Sequence, residues 1–140
     1  MNRPDAGGEH ILVVDDDDVF RDVLGRALRR RGYQVWLASD ARQAVAVADV
    51  TPLDYVILDL RLEHDSGLSL IARLTAGESQ PRIVMLTGYA SIATAVEAIK
   101  LGANHYLAKP SNTDDIEAAF ARVDGDVDAL RIEEVDVSRR

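Results

Sequence analysis

The sequence predicts a doubly wound α/β domain: a five-stranded parallel sheet in the order 2-1-3-4-5, with five helices. Three observations predict it. Short apolar runs rich in β-branched residues recur at regular intervals, and their hydrophobicity is continuous rather than alternating, as in strands buried on both faces. Amphipathic helical patterns fill the intervals, so strand and helix alternate five times. Acidic, hydroxyl and basic residues follow the apolar runs, where an open parallel sheet binds its ligands.

The elements follow in order. Residues 11–14 (ILVV) read as the first strand. In helix one, Phe20, Leu24 and Leu28 share a face with Val23 and Ala27. The run RRRG at 29–32 ends it with cations and then glycine. Residues 34–38 form strand two, at a sheet edge, and 41–49 helix two. Residues 55–58 form strand three and 67–74 helix three. Residues 82–86 form strand four. Helix four, 91–101, places Ile92, Val96 and Ile99 on one side, as the apolar side of a helical pattern, and stops at Gly102. Residues 105–107 make a weaker fifth strand. Thr113 or Asn112 caps helix five, which carries Ile116, Phe120 and Val123 inward. This is the flavodoxin-like strand order. Residues 1–9 read as a disordered leader, 10–123 as the domain, and 124–140 as an acidic tail or linker.

Composition narrows the function. A chain of 140 residues with 47% apolar content buries one proper core. The net charge of −8 argues against a basic nucleic-acid surface. Residues 114–140 hold nine acids and four bases, more than half of that negative charge. With no cysteine, disulfides, thiolate chemistry and cysteine–zinc sites are excluded. No signal peptide or membrane-length apolar run is visible, so the expected location is the cytoplasm.

The polar residues converge. Strand one ends at Asp15 and Asp16, within the run VVDDDDVF at 13–20; strand three ends at Asp59, strand four at Thr87 and strand five at Lys109. Neighbouring carboxylates repel by several kcal/mol at an effective dielectric near 20, roughly 4 kcal/mol at 4 Å, so four aspartates in a row need a reason. Oxygen ligands without His or Cys point to Mg²⁺. An EF-hand counted from Asp15 fails, with Phe20 at position six and Arg26 at position twelve. A lysine and a hydroxyl beside a metal-binding carboxylate suit phosphoryl transfer, where cations neutralise phosphoryl oxygens and a carboxylate is the nucleophile. Asp17 and Asp18 read as acids at a helix start.

These residues carry a resemblance. The acid pair after strand one, Asp59 eight residues before Gly67, Thr87 with Gly88, and YLAKP at 106–110 resemble the response-regulator receiver domain of two-component signalling. The runs DLRLE and LTGYASIATAVEAIKLGANHYLAKP are similar to the global redox-responsive regulators that carry a C-terminal helix-turn-helix. The resemblance implies that Asp59 takes a phosphoryl group from a sensor histidine kinase. It implies that Asp16, Asp59 and the backbone carbonyl of Arg61 bind Mg²⁺, with Asp15 acting through water. Thr87 and Lys109 would contact the phosphoryl group, and Thr87 with Tyr106 would form the switch. It further implies control of transcription, either by homodimerisation through helix four, strand five and helix five or by release of an inhibitory contact in a monomer, and DNA contact only through an output domain outside this chain. Receivers usually have proline four residues after the acceptor, where this chain has Glu63.

Two other functions compete. A haloacid-dehalogenase-type phosphohydrolase would use Asp15 and Asp17 as its Asp-x-Asp pair, with Asp15 the nucleophile, but would leave Asp59 without a role and usually needs a longer chain. A pseudo-receiver adaptor would never be phosphorylated, which the complete set of acids, hydroxyl and lysine weighs against. The chain is therefore read as a signalling domain and not as an enzyme, and no membrane partner is expected.

Overall fold

The computed structural model describes residues 8–59, 67–77, 80–88, 92–109 and 112–123. Its elements are β1 (His10–Val14), α1 (Asp18–Arg30), β2 (Gln34–Ala38), α2 (Ala41–Val50), β3 (Tyr55–Leu58), α3 (Gly67–Leu74), β4 (Arg82–Thr87), α4 (Ile92–Leu101), β5 (His105–Ala108) and α5 (Thr113–Val123). The strands form one sheet in the order β2-β1-β3-β4-β5, and every pairing is parallel. β1, β4 and β5 each run one residue beyond the span read from hydrophobicity, to His10, Thr87 and Ala108, because backbone pairing at a strand end does not require the side chain to enter the core.

The continuous apolar runs are explained by two cores. Ile11, Val13, Tyr55, Ile57, Val84 and Leu86 point to the layer holding α1 and α5. Leu12, Val14, Val56, Leu58, Ile83 and Met85 point to the layer holding α2, α3 and α4. Each fully buried residue of this size contributes about 1.5–3 kcal/mol of hydrophobic stabilisation. Tyr55 stacks on Phe120 of α5 with centroids 4.0 Å apart. The start of α5 is fixed by Asn112, whose side chain accepts from the Asp115 N–H at 2.9 Å while Asp115 accepts from the Asn112 N–H at 3.2 Å. Of the two expected caps, Asn112 is the one used. Arg31 pairs with Asp114 and Glu117, and the Tyr33 hydroxyl donates to Glu117 at 2.8 Å, tying the end of α1 to α5.

Two helix faces differ from expectation. On α1, Leu24 and Leu28 are buried, but Val23 is 57% exposed and lies with Val19 on the flank of the helix. On α4, Val96 and Ile99 are about half exposed, and the residue buried against the sheet layer is Ala98. The sequence IATAVEAIKL is apolar around most of the helix, so periodicity alone selects no face. A small residue lets the helix approach closely, and that decides the side. The side chains of Ile92 and of Val123, the latter expected inward, lie outside the described residues.

α4 is anchored at its C-terminal end. Gly102 has φ +122°, and a Cβ there would stand 2.9 Å from Thr75 Cγ2 at the end of α3. Thr75 is itself held by its hydroxyl donating to the Ile71 carbonyl at 2.9 Å. Asn104 then exchanges two 2.8 Å hydrogen bonds with the backbone of Ile83, setting the register of β5. Gly102→Ala is expected to cost about 1–2 kcal/mol, from left-handed backbone strain and the collision with Thr75. Urea unfolding measures it; an unchanged midpoint would mean that the α3–α4 junction yields freely.

Candidate functional site

Register builds the site. Val14 of β1 pairs with Leu58 of β3, so the next residues, Asp15 and Asp59, emerge side by side. The Asp59 N–H continues the ladder to the Val14 carbonyl at 3.0 Å, and the Asp15 N–H to the Ala38 carbonyl at 3.1 Å. Thr87 ends β4 opposite Ala108 of β5, which delivers Lys109 to the same rim. The side chain of Thr87 lies outside the described residues, as do Arg61, Glu63 and all of residue 110.

The four aspartates have four different surroundings. Asp15 is buried; its Oδ2 accepts from Lys109 Nζ at 2.7 Å, and its Oδ1 accepts from the Asp17 N–H at 2.9 Å. Asp16 is exposed and makes no hydrogen bond or ion pair to any described residue. Asp17 is the N-cap of α1, accepting from the Phe20 N–H at 3.1 Å. Asp18 opens the helix and pairs with Arg21 at 2.5 Å. Arg21 also donates to the Asp15 carbonyl at 2.6 Å, so one guanidinium clasps the loop from both ends. The expectation of two helix-start acids thus holds at Asp17 and Asp18, and the signal for Arg21 was its i+3 spacing from Asp18.

Asp59 is 7% exposed, and Lys109 Nζ donates to its Oδ2 at 3.2 Å. One ammonium therefore faces two buried carboxylates. Burial pushes the Asp15 carboxyl above the usual carboxylate range, and the Asp59 charge adds to this; the bonds from Lys109 and Asp17 oppose it. For Lys109, burial disfavours the charge, but the hydrogen bond to Asp15 and the charges of Asp15 and Asp59 together outweigh it and raise its pKa.

One carboxylate oxygen each from Asp15, Asp16 and Asp59 can be chosen so that all three lie within 4.8 Å of one another. Hard oxygen donors at this spacing, with one carboxylate unengaged by any described residue, fit a divalent cation that keeps part of its water shell. Tyr106 is half-buried against the α2–α4 layer, and its buried hydroxyl has no hydrogen-bond partner among the described residues. Desolvation raises its pKa. His10 bonds the Pro52 carbonyl at 2.9 Å at the opposite rim, far in the chain from His105, and the two take no part in the site. A cleft of about 430 Å³ beside Leu53, Leu74 and Pro81 also lies at that opposite rim, away from the converging acids.

A doubly wound parallel domain whose strand ends gather three carboxylates and a lysine is the class that fold and rim define together. Residues 11–121 match the response regulator receiver domain family, and the chain belongs to it. It is 43% identical over 116 residues to the acid tolerance regulatory protein ActR of Rhizobium meliloti (strain 1021), covering 83% of this chain and 60% of that protein. It is 43% identical over 110 residues to the photosynthetic apparatus regulatory protein RegA of Rhodovulum sulfidophilum, covering 79% and 60%. The chain thus spans about 60% of the length of these relatives. Among solved structures it resembles a Burkholderia pseudomallei response regulator with a phosphorylated aspartic acid, a calcium ion and citrate, at 45% identity and TM-score 0.81, covering 90% of this chain and 72% of that one. A CheY-like receiver domain protein from Methanospirillum hungatei JF-1 gives TM-score 0.78 at 28% identity, covering 84% and 95%. No helix among the described residues is long and apolar enough to cross a membrane.

Proposed function

We propose that this chain accepts a phosphoryl group on Asp59 from the phosphohistidine of a sensor histidine kinase in the cytoplasm. The observation that carries the reading is one ammonium bridging two buried carboxylates, Asp15 and Asp59, beside the unengaged Asp16. An Asp59 carboxylate oxygen attacks phosphorus, the new O–P bond forms as the histidine N–P bond breaks, and the imidazole leaves with the bonding pair. Lys109 neutralises charge on the phosphoryl oxygens, and the Thr87 hydroxyl donates to one of them afterwards. Asp16, Asp59 and the Arg61 carbonyl would hold Mg²⁺, with Asp15 acting through water; the bound ion supplies further charge neutralisation. The phosphorylated aspartic acid and calcium ion of the Burkholderia relative support this assignment.

The readout follows from Thr87 moving toward the new dianion, which carries nearly two charges. Tyr106 fills the space it leaves. The surface changed is that of α4, β5 and α5, where Val96 and Ile99 already offer half-exposed apolar area. Homodimerisation through this surface would bring together output domains that contact DNA and control transcription, as the regulatory names of the longer relatives suggest.

Beryllofluoride with Mg²⁺ tests the reading. The adduct is expected on Asp59, with amide shifts changed across residues 87–109 and a dimer in sedimentation. An adduct on Asp15 would favour the phosphohydrolase, no adduct the unphosphorylated adaptor, and unchanged mass would remove the dimer alone. Mg²⁺ by itself, at about 100 times its dissociation constant, should stabilise the fold by about 2.7 kcal/mol. The thermal midpoint should then rise by roughly 5–10 °C. Asp16→Ala should abolish that rise; a rise that survives places the ion elsewhere.

A further inference from the structure

Phe20 stands on the first turn of α1, its N–H held by the Asp17 cap at 3.1 Å and its ring packed against the α1–α5 core. Lys109 Nζ lies 4.3 Å from the centroid of that ring. The same nitrogen donates to Asp15 and Asp59, so the ammonium rests on an aromatic face with two carboxylates as its other neighbours. Beside the lysine stem is Gly88, where an added Cβ would meet Lys109 Cβ at 3.8 Å.

We propose that Phe20 is a positioning residue for phosphoryl transfer, its ring face holding the Lys109 ammonium where it bridges Asp15 and Asp59. The proposal rests on the phosphoryl-accepting reading above. A lysine is a point charge on a flexible four-carbon stem. Tethered by carboxylates alone, it would follow whichever of them carried more charge. The ring attracts the cation through its quadrupole and accepts none of its three conventional hydrogen bonds, leaving them for carboxylate and phosphoryl oxygens. An aliphatic side chain would fill the same volume and supply no such attraction. The chain of support runs from Asp17, which caps the helix, through Phe20 to Lys109.

Fluorinated phenylalanines at position 20 of the full chain test this, since added fluorine weakens the ring's attraction for a cation at nearly constant shape. The rate of phosphoryl uptake from acetyl phosphate with Mg²⁺ should fall stepwise to pentafluorophenylalanine, by about three- to tenfold in all, at a nearly constant thermal midpoint. In a Lys109→Met background the same series should be flat, because the ring then has no cation to hold. A flat series with Lys109 present, or an equal fall without it, overturns the proposal. A second readout needs no phosphoryl chemistry. The Lys109 ε-methylene protons should resonate upfield of those of Lys100, the only other lysine, and lose that shift in Phe20→Leu. No upfield shift in the unsubstituted chain refutes the contact itself. If the shift is present but Asp59 takes up no phosphoryl group, the phosphoryl-accepting reading fails, and the role in transfer with it.

Discussion

Asp59→Asn is expected to take up no phosphoryl group under conditions in which the unsubstituted chain should take up one. The nucleophile must be an ionised carboxylate beside a cation. Asp15 is badly placed for this: one oxygen is committed to Lys109 at 2.7 Å and the other to the Asp17 N–H at 2.9 Å. Burial also disfavours its ionised form. Asp16 is exposed and is not contacted by Lys109. Asp59 has the longer contact to the ammonium, 3.2 Å, and sits at the end of the central strand of the sheet. Asparagine keeps the shape and removes the nucleophile, so uptake from acetyl phosphate and Mg²⁺ should fall at least about 100-fold, roughly 2.7 kcal/mol or more in the barrier. Intact-mass measurement reads it directly. Equal labelling of the variant would move the acceptor to another residue.

Lys109→Ala should lower stability by about 2–3 kcal/mol near pH 7 without divalent metal, because it leaves two buried carboxylates facing each other without their shared cation. The pH dependence has a definite sign. The Asp15 carboxyl is already raised by burial in the folded state, so its ionised form opposes folding above that folded pKa and the opposition fades as pH falls through it. Removing Lys109 deletes the contributions that lower this pKa, so the variant's deficit should be largest near neutrality and shrink under acid conditions. At the alkaline end the deficit shrinks again. Lys109 has a folded pKa raised above its ordinary 10.5, so its pairing stabilises fully below 10.5 and is lost as pH rises through the folded value. The unsubstituted chain should therefore lose stability there in a step that the variant lacks. Urea unfolding across pH decides the matter, and an equal deficit at pH 5 and pH 8 would count against it. Phosphoryl transfer and the downstream switch should weaken in the same variant.

The sheet order followed from the doubly wound class that strand–helix alternation predicts. The strands and the acids at the strand ends were legible because they depend on short-range features: continuous apolar runs, glycine stops and the residue just past each run. Asp17 as a cap was legible for the same reason. The seating of α4 was not. Its apolar residues surround the axis, and whether Ala98 or Val96 and Ile99 meet the sheet depends on how closely the helix can approach, which one chain segment does not encode. Val23 misled similarly: it is one residue from Leu24, yet about 100° around the helix. The contact of Phe20 with Lys109 joins residues 89 positions apart and leaves no local signal, since a phenylalanine on the inner face of a helix already has an apolar explanation. Arg61 and Glu63 fall outside the described residues.

The junction of Gly102 with Thr75 makes α4 a lever with its fulcrum at one end. With a rise of 1.5 Å per residue, the ten residues from Ile92 to Leu101 extend about 15 Å from that pivot. A tilt of about 10° would carry the Ile92 end through roughly 2.6 Å while Leu101 barely moves. Val96 and Ile99 lie at different distances along the arm, so the outer of the two sweeps further and the exposed apolar strip turns as well as shifts. A partner docking near Gly102 would meet the same surface before and after the movement, whereas one reaching toward Ile92 would meet a changed one.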